Sequence, residues 1–421
     1  MLIMYTSFAA PQAKGKAAND NIFAANAMAV ADAAAIGADK VTNGTIGAIM
    51  DDDGKLVCLP TVETVFRNLP INEVVAYAPI AGLPEYLDKV QVAAFGDSRP
   101  NGFIRAVATT GGTGGIHHAI WNYTEAGDTI ITADWYWGAY KVLCLDMGRK
   151  LDTYKMLADG ERFNQPALEA KVKEVIARQN SVMVIINTPA HNPTGYSLTK
   201  EDMAQVVAFL KKITEETGKQ AILFLDIAYI DYAGEKNAVR KMFEALNDLP
   251  ERVLAIVQYS MSKGFTMYGQ RVGAMICVAS NEEAAKEFFE INQYTSRATW
   301  SNINRAAMRT LAQIYSDEAL LTAVEAERDH YYKMIKARAD VFVEEAKQCG
   351  LPMIPYIAGF FLSVPCDNPQ AVCDLLHKDH IYLVPLAAGV RIALCSIPLQ
   401  KISGIATKLN NALKEVEAAK K

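Results

Sequence analysis

A chain of 421 residues is longer than one hydrophobic core comfortably serves, so two domains are expected. With 51% hydrophobic and 21% charged residues it falls in the globular range and outside the disordered and collagen-like ones. A formal net charge of -5, with no Lys/Arg-rich run, gives no field for a nucleic-acid backbone, and nucleic acid is excluded as a partner.

The seven cysteines are odd in number, scattered, and contain no C-x-x-C pair, which speaks against a disulfide framework and against a zinc site. His377 and His380, beside Lys378 and Asp379, read as a solvated helix end and not as a metal pair. The first twenty residues lack the basic start and unbroken apolar core of a signal peptide. No stretch is uniformly apolar over the about 18 residues that a membrane helix needs, so no membrane contact and a cytoplasmic location are expected.

In chain order, residues 1–50 are expected to pack with a small domain formed mostly by the other end of the chain. From about 100 to 280, apolar runs of strand length alternate with amphipathic segments: FIRAVATT, DTIITAD, SVMVIINTP, AILFLDIAYI, RVLAIVQYS and VGAMICVAS. Runs apolar on both faces, separated by helices such as Glu201 to Lys219, predict a mostly parallel sheet covered by helices. After Trp300 the pattern turns helical, and Leu320 to Gln348 reads as one long helix stopped by Gly350. The rest mixes GFFLSVP, IYLVPL and VRIALCSI with helices. The expected fold class is α/β, a large domain with a mostly parallel mixed sheet over 51–325, plus a smaller α+β domain over 326–421 joined by residues 1–50.

Four segments at predicted strand ends, where open α/β sheets bind ligands, carry chemistry. Thr110-Gly-Gly-Thr-Gly-Gly115 lets the backbone approach a phosphate at a helix start, although a plain glycine turn would look the same. Asn187 to Gly195 presents Asn192 on an Asn-Pro-Thr-Gly turn, a neutral donor for a ring oxygen. Asp226-Ile-Ala-Tyr229 places a carboxylate at the end of a buried run, where it needs a partner such as a pyridinium N–H or a helix cap. Ser260 to Gly273 holds Lys263 and, eight residues on, Arg271. A lysine amine becomes a nucleophile when burial or a nearby cation lowers its pKa, and a guanidinium fork suits phosphate. None of the four is specific alone; their occurrence together, in this order, is.

The phrase Ser-x-Ser-Lys-x-Phe-x-x-Tyr-x-x-Arg-Val-Gly from Ser260 to Gly273, with His-Asn-Pro-Thr-Gly from His191 to Gly195, resembles the class I aminotransferases of fold type I, in their aspartate and aromatic branch. The resemblance runs from about residue 41 to 398. It implies pyridoxal 5'-phosphate (PLP) as cofactor, covalently held by Lys263, which then acts as acid and base. Asp226 is implied to pair with the ring nitrogen, Asn192 and Tyr229 with the ring oxygen, and Ser260, Arg271, Gly112 and Thr113 with the phosphate. Trp137 is implied to stack on the ring, with Tyr136 or Trp135 as alternatives. Tyr77, in Tyr-Ala-Pro-Ile-Ala-Gly, is implied to reach the phosphate of a second subunit, which makes the protein a homodimer with shared sites.

For the substrate, the resemblance gives Arg391 to the α-carboxylate and Arg297, across the dimer, to a side-chain carboxylate. Ile46 and Gly47 would belong to a segment that closes over the pocket. Departures from the family pattern stand at Ala139, Tyr140, Asn187 and Ser301-Asn302-Ile303-Asn304. Aspartate donating to 2-oxoglutarate is therefore the expected reaction, with an aromatic or broad donor range as the alternative. A PLP-dependent lyase fits less well, because both arginines are kept.

Overall fold

The computed structural model of the chain describes residues 7–17 and 20–419. Its central sheet has seven strands: β1 (Phe103–Thr109), β2 (Thr129–Ala133), β3 (Lys150–Tyr154), β4 (Ser181–Asn187), β5 (Gln220–Asp226), β6 (Val253–Ser260) and β7 (Gly273–Ala279). They lie in the order β1-β7-β6-β5-β4-β2-β3, and only β7 runs antiparallel to its neighbours. The reason is visible in β4, where every residue after Ser181 is buried. Val182, Val184 and Ile186 point to one core, and Met183 and Ile185 to the other, the period of two that a strand imposes.

Helices cover both faces. Ile116 and Ile120 of α1 (Gly111–Tyr123) fill the core under Met183, and Val206 and Leu210 of α2 (Lys200–Thr217) fill the core on the other face. The ends of α2 follow from local chemistry: Thr199 and Asp202 form a capping box, and Gly218 stops the helix in the left-handed region. The six apolar runs read as strands are all strands. The one strand of this sheet that was missed, β3, lies at its edge with only its last residue buried, so its sequence KLDTY has no apolar run to reveal it.

α3 (Glu318–Cys349) is a single helix of 32 residues, capped by Asp317 and ended by Gly350 at φ 72. Val324 packs into the core of the central sheet. Ala339, Phe342 and Ala346 pack into a second core with Leu362 and Val364 of β8 (Phe361–Pro365), beside β9 (Val384–Leu386) and β10 (Gly389–Ala393). The run IYLVPL, expected as one strand, is shared between two sheets. Ile381–Tyr382 pairs in parallel with Thr42–Asn43, while Val384–Leu386 pairs with β10. Among the described residues no helix is long and apolar enough to cross a membrane.

The register sets the carboxyl ends of four strands side by side. Asn187 stands opposite Asp226, Asp226 opposite Gln258, and Gly273 lies between Ser260 and Thr109. Gly273 is fixed by close approach, since a Cβ there would lie 2.6 Å from the Tyr259 carbonyl oxygen and 3.0 Å from the Gly111 carbonyl carbon. Both obstacles are backbone and cannot swing away. Gly273→Ala is expected to lower stability by about 1–3 kcal/mol, the usual cost of overpacking, read as a lower urea midpoint with an unchanged slope.

Candidate active site

Strand β6 ends at Ser260, whose hydroxyl accepts from the Ser262 N–H at 3.3 Å and caps the single turn Met261–Gly264. That turn delivers Lys263 into a cavity of about 330 Å3 at the carboxyl ends of the strands. The Nζ faces the rings of Tyr268, Tyr229 and Phe360 at 4.9, 5.6 and 5.8 Å and donates to the Gly47 carbonyl at 2.5 Å. Burial is the main reason its pKa falls to about 8, and the nearby Arg391 and Arg271 push it the same way.

Asp226, 5% exposed, accepts from the Tyr140 hydroxyl at 2.6 Å on one oxygen and from the Ala228 N–H at 3.2 Å on the other. Burial raises its pKa, and these two donors pull in the opposite direction. Asn187 ties the neighbouring turn to this strand end: its amide donates to the Asp226 carbonyl at 2.8 Å, and its oxygen accepts the Asn192 N–H at 2.6 Å. Asn192 then donates to the Tyr229 hydroxyl at 3.2 Å.

Arg391, in the middle of β10, is buried with its guanidinium 4.4 Å over the Phe361 ring. It donates to the Thr45 carbonyl at 2.6 Å and to Asn192 at 3.4 Å, and its Nε has no partner among the described residues. Burial lowers its pKa to about 10. An arginine held this way, with a donor left over, has the chemistry to accept a carboxylate.

On the opposite wall, Gly112 and Thr113 open α1 beside Ser260, Ser262 and Arg271. Gly111 adopts φ 65, and a Cβ there would meet Arg271 Nη2 at 2.6 Å. Arg271 itself donates to the Ser262 hydroxyl at 3.2 Å. Helix-start N–H groups, two hydroxyls and a guanidinium form an anion cradle. Trp137 also lines the cavity and meets Tyr140 edge-on at 5.7 Å. Trp135 is buried in the core on one face of the sheet, and Tyr136 and Trp137 both pack against the core on the other, but of the three it is Trp137 that lines the cavity.

The chain's matches to known proteins agree with this geometry. The family model described as aminotransferase class I and II matches residues 40–409. The chain belongs to that family. The protein is thus an aminotransferase, similar to the aromatic-amino-acid aminotransferase of Escherichia coli (strain K12), at 28% identity over 73% of this chain and 76% of that one. It is also similar to the cytoplasmic aspartate aminotransferase of Gallus gallus, at 24% identity over 90% of this chain and 93% of the relative. The crystal structure of an aminotransferase from Anaerococcus prevotii superposes with a TM-score of 0.95 at 34% identity, covering 97% of this chain and all of that one.

Within the aminotransferase the cavity gathers Ile46, Gly47, Gly112, Thr113, Trp137 and Asn192 with Asp226, Tyr229, Ser260, Lys263, Arg271 and Arg391. Tyr77 and Arg297 lie elsewhere on the chain, both exposed, Tyr77 at 88%. Residues that sequence reasoning passed over also face the cavity. Tyr268 stands inside the Ser260–Gly273 phrase and accepts the Ile49 N–H at 2.9 Å. Phe361, Ile22 and Phe23 gave no local signal, because only the tertiary fold brings them to the mouth. In protein stripped of small molecules, labelling of Lys263 by trinitrobenzenesulfonate, followed by peptide mass spectrometry, is expected to rise through about pH 8, where its amine loses the proton. Surface lysines should rise near about 10.4, and a Lys263 profile that coincides with theirs would contradict the buried environment.

Proposed function

We propose that the protein is a PLP-dependent aminotransferase that moves the amino group of aspartate to 2-oxoglutarate in two half-reactions at one site. The observation that carries this reading is a single cavity holding a buried lysine of lowered pKa, a buried carboxylate, an anion cradle and a buried arginine with a free donor. The donor set fits the cofactor. Asp226 has two neutral donors but no cation of its own, which suits a ring N–H⁺. The cradle at Gly112, Thr113, Ser260 and Arg271 suits a phosphate, and Trp137 offers a face to a planar ring.

When bound, PLP supplies a ring able to draw off the electron pair left when the substrate Cα loses its proton. The chain supplies the rest. Lys263 Nζ would hold the cofactor covalently and, when free, would carry a proton between the substrate Cα and the cofactor's C4' carbon. Its pKa of about 8 keeps enough of it uncharged near neutral pH to do so. Asp226 stays ionised opposite a ring cation, with Tyr140 and Ala228 fixing its direction. Asn192 and Tyr229 hold the ring oxygen between them. Arg391 grips the α-carboxylate, and Ile46 and Gly47 close the cavity against water.

Substrate choice rests on residues beyond this chain's own cavity. Exposed Arg297 and Tyr77 suit donation to a second copy, so a homodimer with shared sites is part of the proposal. So are a large unit over 51–325, a small one over 326–421 joined by 1–50, and a cytoplasmic location. One observation favours an aromatic donor as the second reading: Ile22, Phe23, Ile46 and Phe361 make one side of the cavity apolar. The test is to add amino acids singly to the PLP-loaded protein and follow its visible absorption band. Aspartate and glutamate are expected to convert it, and Lys263→Ala to abolish conversion. Arg297→Ala should cut kcat/KM for aspartate by about 10- to 100-fold, the worth of one charge-assisted pair, and change phenylalanine little. Faster conversion by phenylalanine or tyrosine would select the aromatic reading.

A further inference from the structure

Two arginines of α3 are buried and yet belong to no part of the cavity: Arg328 at 6% exposure and Arg338 at 0%. Guanidiniums taken out of water to this degree are costly unless matched, so what they touch is informative. Arg328 donates through Nε to the carbonyl of Gly264, the residue after Lys263, at 2.6 Å. Its plane lies 4.7 Å over the Phe265 ring, and its Nη2 is 3.7 Å from Asp231. Asp231 is held in turn by Arg240 at 2.7 Å and by the Tyr259 hydroxyl at 2.8 Å. The lysine's turn is pressed hard on this cluster: a Cβ at Gly264 would fall 2.0 Å from the Asp231 carboxylate.

Arg338 lies about 15 Å further along the same helix, at about 1.5 Å per residue. Its Nη1 donates to the Cys395 carbonyl at 3.0 Å, just past the strand that carries Arg391. Its Nη2 donates to the Met50 carbonyl at 3.0 Å and to Asp52 at 2.7 Å. Met50 follows the segment whose Thr45 and Gly47 carbonyls accept from Arg391 and Lys263. One rigid element is therefore bonded at one point to the lysine's turn and at another to the surroundings of the carboxylate arginine.

We propose that Arg328 and Arg338 are positioning residues through which α3 acts as a spacer, setting where Lys263 stands relative to Arg391. The inference rests on the reading that Lys263 bonds the cofactor and Arg391 the substrate carboxylate. A spacer with two separate fastenings makes a separable prediction: loosening the Arg328 end should move chiefly the lysine, and loosening the Arg338 end chiefly the carboxylate site, whose Thr45 and Cys395 lie on the segments that Arg338 holds. Arginines that merely hold the fold would disturb both together.

Arg328→Lys and Arg338→Lys keep a cation in each place and remove the planar fork. Two readouts apply to each. The first is the rate at which PLP added to stripped protein becomes trapped on Lys263 by borohydride, followed by peptide mass. The second is the Kd, on PLP-loaded protein, of maleate or 3-phenylpropionate, whichever the unaltered protein binds. Arg328→Lys is expected to slow trapping about tenfold and leave Kd within about twofold; Arg338→Lys should raise Kd about tenfold and leave trapping within about twofold. The milder Tyr259→Phe and Asp52→Asn, each removing one partner of a cluster, should move the same respective readout about threefold, so the pattern is readable even if an arginine variant does not fold. Equal movement of both readouts in each variant, or no movement in folded protein, overturns the proposal. Failure of the unaltered protein to trap PLP on Lys263 would instead strike the underlying reading of function, and would be seen before any variant is made.

Discussion

The site depends on keeping one amine out of water. Tyr229, Tyr268 and Phe360 surround the Lys263 Nζ, and burial, with two guanidiniums close enough to resist its protonation, brings its pKa down to about 8. That environment dictates much of the surrounding architecture. The amine must be carried inward on a turn that starts where a buried strand stops, and the turn must be held in place from behind. It also requires the loop bearing Gly47 to fold over it, since that carbonyl is the amine's hydrogen-bond acceptor.

The carboxylate beside it obeys the opposite logic. Asp226 is buried as deeply, and that burial pushes its pKa up, while the Tyr140 hydroxyl and the Ala228 N–H aimed at it pull it back down. Tyr140 supplies the stronger of the two contacts and also abuts Trp137, which links the carboxylate's direction to the wall where a ring would stack. A phenol in this place donates without adding charge. The pKa values of Lys263 and Asp226 are thus drawn toward each other, one pushed down and the other up by the same burial.

Much of this was legible in the sequence, and the parts that were not have physical reasons. Strands buried on both faces announce themselves as apolar runs, which is why β1, β2 and β4 to β7 could be read directly and the half-exposed β3 could not. Residues in the turns after those strands, such as Asn192 and Lys263, were recognisable because the backbone chemistry and side-chain chemistry coincide in a short phrase. Phe361 and Phe23 reach the cavity only through the return of distant chain segments, and no local pattern encodes that. The buried arginines of α3 went unread for a different reason: Arg328 and Arg338 fall at helical spacing with the buried Val324, Ile335, Phe342 and Ala346, but the carbonyls and carboxylates that match them come from distant segments that no local pattern shows.

The antiparallel course of β7 has a consequence of its own. Because β6 and β7 are adjacent and the Ser260–Gly273 pair closes their junction, residues 261–272 form a hairpin connection clamped at both ends. Lys263 and Arg271 sit on the two limbs of that one connection. An insertion or deletion between them could not be absorbed by a distant crossover, as it could between parallel strands. The separation of the two cations is thus set by one local connection and not by the packing of two crossover helices.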